Sequence, residues 1–148
     1  MKFFILLSLL LGLQTFSHAS ENEQITQLRE MKQELIRIED KINISNSILS
    51  LYDSVKRDPQ EFHVYLLFQA AGFHKKYSTI RPQDTETANY ALLIYRKVDQ
   101  AIKKNSFDIK IITEENEALK RNQKVKQKSF YELKRKLGFE LDEEFESN

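Results

Sequence analysis

The stretch Leu28–Tyr52 reads LREMKQELIRIEDKINISNSILSLY, and its spacing decides the fold. Alternate steps of three and four from Leu28 land on Leu28, Met31, Leu35, Ile38, Ile42, Ser45, Leu49 and Tyr52, all apolar except Ser45. Such a line is a heptad seam, the pattern of a helix that lies along a partner helix. Ile25, Ile36, Ile44, Ile48, Leu51 and Val55 fall beside the line and widen the apolar stripe, so this helix can meet more than one neighbour.

Beyond this stretch the chain is punctuated sparingly, by Pro59, Gly72, Pro82 and Gly138. Asp58-Pro59-Gln60-Glu61 offers an N-cap, a proline at the first helical position and a glutamate three residues past the cap, which predicts a helix start. Arg81-Pro82-Gln83-Asp84-Thr85 predicts another start. Gly138, just after a basic turn, reads as a C-terminal cap. The intervening segments are rich in Glu, Lys, Gln, Leu and Ile, all good or fair helix formers. Three Gly and two Pro in 148 residues are too few for a turn-rich sandwich or barrel. The expected class is all-α.

A second seam starts at Ala88 and runs through Ala91, Tyr95, Val98, Ile102, Asn105, Ile109, Ile112, Asn116, Leu119, Gln123, Lys126, Phe130 and Leu133 to Leu137. Its polar members are the two Asn and then Gln123 and Lys126. A seam Asn commonly fixes register and oligomeric state, whereas Asn105-Ser106 also reads as a local break, and both alternatives stand. The expected architecture is an elongated antiparallel helical hairpin or coiled coil. It has a first long helix in 20–58, a short apolar helix and connection in 59–81, a second long helix in 82–138 and an acidic tail in 139–148. At about 1.5 Å per residue the second helix outruns the first. Lys124 to Leu137 is therefore expected to overhang the pair, where Phe130, Leu133 and Leu137 want a partner.

The first 19 residues read as an address. Met1-Lys2 precedes Phe3 to Leu13, an uncharged and mostly apolar run, and Ser17-His18-Ala19 has the small-x-small pattern of a signal-peptidase site. The run turns polar well short of the ~20 apolar residues that span a bilayer. A cleaved signal peptide at 1–19 and a periplasmic or extracellular destination are expected. Lys2 leaves with it, so the remaining chain carries 22 basic and 22 acidic residues. Overall neutrality provides no electrostatic footprint for nucleic acid. Asn43-Ile44-Ser45 matches a glycosylation sequon, meaningful only in a eukaryotic secretory route.

Residues 59–77 are the unusual part. Phe62, Val64, Tyr65, Leu66, Leu67, Phe68 and Phe73 cover most of a helix circumference. A helix apolar all round is normally buried; the alternative is an exposed patch for a partner, an unfolded client or a membrane. Catalytic inventory is thin. There is no Cys, and no Gly-rich phosphate loop. His63 and His74 share a helix face but lie about three turns, ~16 Å, apart, too far to bind one metal ion together. No cofactor, metal or enzymatic activity is expected.

Charge separates near the end. Lys120, Lys124 and Lys128 recur at i,i+4, and Phe139 to Asn148 holds five acids and no base. The stripe is either a solvated helix end or a contact for an anionic membrane surface. The candidate partner-binding residues are thus Phe62, Tyr65, Leu66, Phe68 and Phe73, with Lys120, Lys124, Lys128, Phe130, Leu133 and Leu137. The leading functional expectation is an exported, non-catalytic coiled-coil protein, a structural or adaptor element whose partner is a second copy or another helical protein. Alternatives are a holdase-type chaperone of an exported compartment and a membrane-active protein that inserts residues 62–73.

Overall fold

A computed structural model describes the backbone of residues 2–139 and the side chains of residues 22–139. The expected signal at 1–19 and positions 140–148 of the expected acidic tail lie outside the described side chains. Among the described residues the protein is all-α, with four helices: α1 (Lys2–Ser54), α2 (Pro59–Ile80), α3 (Thr85–Lys103) and α4 (Lys110–Lys136). They build two compact units, one from Ile36–Lys124 and one from Met1–Leu35 with Val125–Asn148.

The Ile36–Lys124 unit is an up-down-up-down bundle, and its cross-helix contacts give the directions. Asp40 meets Tyr77, Ser47 meets Gln69 and Tyr52 meets Phe62, so α2 runs antiparallel to α1. Lys41 meets Glu86 and Ser45 meets Tyr90, so α3 runs parallel to α1. Lys97 pairs with Glu115 across the short α3–α4 link, and Asn116 donates to Asn46 Oδ1 at 2.8 Å, closing α4 against α1. All four helices share one core, made by Ile44, Ile48 and Val55, by Phe62, Leu66, Ala70 and Tyr77, by Ala88, Ala91, Ile94 and Val98, and by Ile112. Helices α2 and α3 approach closely, because Ala70, Ala88 and Ala91 occupy little space between backbones.

The α1 stripe is wide for the same reason. Ile38, Ile42 and Ser45 of the seam are buried, but so are Ile44, Ile48 and Val55 beside it. One helix facing two others needs more than a single heptad line.

The helix ends follow local chemistry. Asp58 caps α2 by accepting from the N–H groups of Gln60 and Glu61 at 2.8 and 2.9 Å, as the Asp-Pro pattern predicts. Gly138, at φ +73°, ends α4, with its N–H bonded to Arg135 and that of Phe139 to Lys134.

The expected single helix over 82–138 is corrected to two helices with a break at Lys104–Ile109. Asn105 adopts φ +53°, and Ser106 donates back to the Ala101 carbonyl at 2.8 Å, which terminates α3. Asp108 then accepts from Lys110 N–H at 2.9 Å and starts α4. The break places Phe107 against Tyr52 and Phe62, with ring centroids 5.8 Å from each. It also removes the expected overhang, because α4 now begins afresh beside the end of α1. In the unit that holds Val125–Asn148, Lys126 pairs with Glu34 at 2.8 Å. There Phe130, Leu133 and Leu137 are half-buried, as are Ile25, Leu28, Met31 and Leu35 of α1. The other seam asparagine does the opposite of Asn105: Asn116 stays helical and buried, and bonds to Asn46.

Asp84 caps α3 from a nearly closed position, 5% exposed, accepting from Thr87 N–H at 3.1 Å with Arg37 beside it at 3.6 Å. Burial pushes its carboxyl up, but the Thr87 N–H and the charges of Arg37 and Arg81 outweigh this and hold it below the usual carboxylate value. A lowered folded-state pKa means that the unfolded chain binds the proton more readily. The stabilisation is present above the unfolded pKa and is lost as pH falls through the folded one. Chemical denaturation repeated from pH 6 to pH 2 should show stability falling below about pH 4, with a shallower fall in Asp84→Asn. Identical slopes in the two proteins would show that the cap carries no pH dependence.

Candidate functional site

Helix α2 has two apolar sides, and only one of them is used by the core. Phe62, Leu66, Ala70 and Tyr77 point inward and are buried, with Phe73 half-buried against the same cluster. On the other side Phe68 is 69% exposed, Val64 54%, Tyr65 49% and Leu67 43%. Ala71 and Gly72 continue this outward face, also exposed, and it is bounded by Glu61 at one end and Lys75 at the other. Successive turns bring Val64, Phe68, Ala71 and Lys75 into one row, since residues three and four apart are neighbours on a helix.

The helix is thus buried on one side and exposed on the other. Of the predicted docking residues, Phe62 and Leu66 are corrected to core positions: with no surface in contact with solvent they cannot meet a partner unless the bundle opens. Phe73 is largely committed to the core as well. Tyr65 and Phe68 are exposed. Val64 and Leu67 belong with them and were not expected as site residues. Their signal was available, because the steps Phe62, Leu66, Ala70, Phe73 and Tyr77 trace one complete apolar line and leave Val64, Leu67 and Phe68 on the far side.

The flanks of α2 are polar and fixed. His63 Nε2 lies 3.0 Å from Asp99 Oδ1, and its ring stacks on Tyr95 with centroids 5.2 Å apart. Lys103 binds the same carboxylate at 2.7 Å and chiefly through that hydrogen bond holds Asp99 below its ordinary value. These contacts tie α2 to α3 and make His63 a packing residue; His74 is half-buried elsewhere on α2. On the α1 flank Gln69 donates to Ser47 Oγ at 2.8 Å. Tyr77 reaches Asp40, which also pairs with Arg81, so burial and then Asp40 raise the Tyr77 hydroxyl above its usual range. The apolar face therefore sits on a helix anchored along both edges.

The remaining candidates are distributed along α4. Lys120 is half-buried and bonded to Glu117 at 2.9 Å, whereas Lys124 is exposed; these belong to the four-helix unit. Lys128 is exposed in the other unit, where Phe130, Leu133 and Leu137 are half-buried. Among the described residues no three His, Asp or Glu side chains are grouped so that they could hold a metal ion. Two open hollows, one beside Asn22, Thr26 and Glu30 and one beside Ser129, Leu133 and Lys136, are each lined by a single stretch of helix. Among the described residues no helix is long and apolar enough to cross a membrane. No family model, no curated protein and no solved structure matches this chain.

Proposed function

We propose that this chain is an exported, non-catalytic helical protein that serves as a structural or adaptor element and presents the outward face of α2 to a protein partner. One observation carries the reading: Val64, Tyr65, Leu67 and Phe68 stand exposed together on a helix whose opposite side is packed in the core. Four large apolar side chains kept in water within two helical turns are unfavourable for a protein that has no use for them. Export rests on the basic start, apolar run and Ser17-His18-Ala19 end of the first 19 residues. The heptad lines of α1 and α4 add a two-stranded antiparallel coiled coil in the second unit, supported by the Lys126–Glu34 ion pair.

The chaperone and membrane readings fit this geometry less well. A holdase needs a broad or adaptable apolar surface, and this one is small and fixed along both edges. Insertion of residues 62–73 into a bilayer would require Phe62 and Leu66 to leave the core. A photo-crosslinking amino acid at position 68, activated in the source cell, tests the proposal, with the exposed Asn89 of α3 as control position. The expected result is a discrete protein adduct from position 68 and none from 89. Adducts to lipid alone, a smear of many proteins, or no adduct would each remove the adaptor reading.

A further inference from the structure

The outward face of α2 has a pattern that bears on what covers it. Counting equally away from Phe68 in both directions, Glu61 corresponds to Lys75, Val64 to Gly72 and Tyr65 to Ala71. Each pair is complementary: an acid with a base, and a large side chain with a small one. A two-fold axis placed at Phe68 superposes one helix on an antiparallel copy of itself and brings these members together across the interface. That is the requirement of an isologous contact, in which the same patch must complement itself.

Two further observations fit the same arrangement. Glu61 and Lys75 are both exposed, and neither side chain has an ion-pair partner among the described residues. Gly72 lies in the interior of α2, where glycine costs roughly 0.5–1 kcal/mol relative to alanine. Nothing among the described residues explains it, since a Cβ built there meets none of their atoms within 4 Å. An absent side chain opposite a partner's Val64 provides a reason that the single chain does not.

We infer that the partner of this face is a second copy of the chain, docked antiparallel through α2, with Phe68 at the two-fold axis, Glu61 against the other copy's Lys75 and Val64 beside its Gly72. This inference rests on the adaptor reading and specifies the occupant of its docking face. One helix face falls short of the ~800 Å² per partner of a standard interface, so the dimer is a reversible one that forms with concentration.

Sedimentation of the purified full chain over a range of concentrations at low salt reads it directly. The wild type should pass from monomer to dimer and stop there. Phe68→Glu, which sets two like charges at the axis, should leave a monomer with unchanged circular dichroism. Glu61→Lys and Lys75→Glu should each weaken the dimer by roughly tenfold. The double exchange, which restores both ion pairs with reversed sign, should recover most of that loss. A monomer at every concentration would overturn the inference, and so would a dimer insensitive to Phe68→Glu or a double exchange no better than its parents. The crosslink at position 68 separates the two levels. An adduct of twice the chain mass supports both; a protein adduct of another mass keeps the adaptor reading and overturns self-docking; no protein adduct removes both.

Discussion

Phe62→Ala is expected to cost the four-helix unit about 3–5 kcal/mol, while Phe68→Ala, six residues along the same helix, should cost no more than about 0.5 kcal/mol. Phe62 has no exposed surface and meets Tyr52 at 5.1 Å edge to face. It also touches Phe107, which the α3–α4 break delivers to the same place. Its removal leaves a cavity with walls from three elements, and a site so built can collapse only partly. Against a total stability of about 5–15 kcal/mol for a domain, the loss is large enough to show as a pronounced fall in the urea midpoint. Phe68 is already in water and loses little. Equal midpoints for the two variants would mean that the inward and outward sides of α2 have been assigned the wrong way round.

The second large effect concerns the buried hydrogen bond between Ser45 and Tyr90, 2.9 Å long and joining helices α1 and α3. Tyr90→Phe leaves the Ser45 hydroxyl buried without its tyrosine partner, and Ser45→Ala leaves the buried tyrosine hydroxyl with Glu115 alone. Each single change should cost about 1–3 kcal/mol. The double variant should cost clearly less than the sum, because no orphaned hydroxyl remains, giving a coupling of at least about 0.5 kcal/mol. Burial, opposed by the Ser45 hydrogen bond and reinforced by Glu115, pushes the Tyr90 hydroxyl up to about 12. It therefore keeps its proton well into the alkaline range. Strict additivity in denaturant unfolding would show that the two hydroxyls do not depend on one another.

The polar residue in the α1 seam was visible in the sequence, but its partner was not. Heptad spacing identifies Ser45 as inward-facing, and it cannot say which helix lies opposite. The helix class, the Asp58-Pro59 start and the Gly138 stop were all legible, because capping is chemistry between residues a few positions apart. The break at Lys104–Ile109 was half legible. Asn105-Ser106 signals a termination, but Asn116 in an equivalent seam position does not terminate anything. What separates them is Asp108, whose carboxylate is poised to restart a helix, and Phe107, which gains burial only if the chain turns. A count along one apolar line passes over both residues.

The candidate site shows the same division. That residues 62–73 carry more apolar surface than one helix side can bury is plain from composition. Which half stays outside depends on where neighbouring helices lie, and only the close approach of α3 and the anchoring of Gln69 to Ser47 settle it. Residue type alone does not separate the two sides, which is why Phe62 and Leu66 stand beside Tyr65 and Phe68 among the expected docking residues.

The short links of the bundle, Val55–Asp58, Arg81–Asp84 and Lys104–Ile109, have a kinetic meaning as well. Closing loops of four to six residues costs little entropy, so each helix finds its neighbour in sequence without a long search. The contact that closes the ring is different. Asn116 meets Asn46 across 70 positions of chain, and Ile112 covers the core from the same helix. A chain emerging from its N-terminus can assemble three helices in order, yet Ile44 and Ile48 lack their full cover until the fourth arrives. The interval before α4 docks is when this protein is most open to mispairing with another chain.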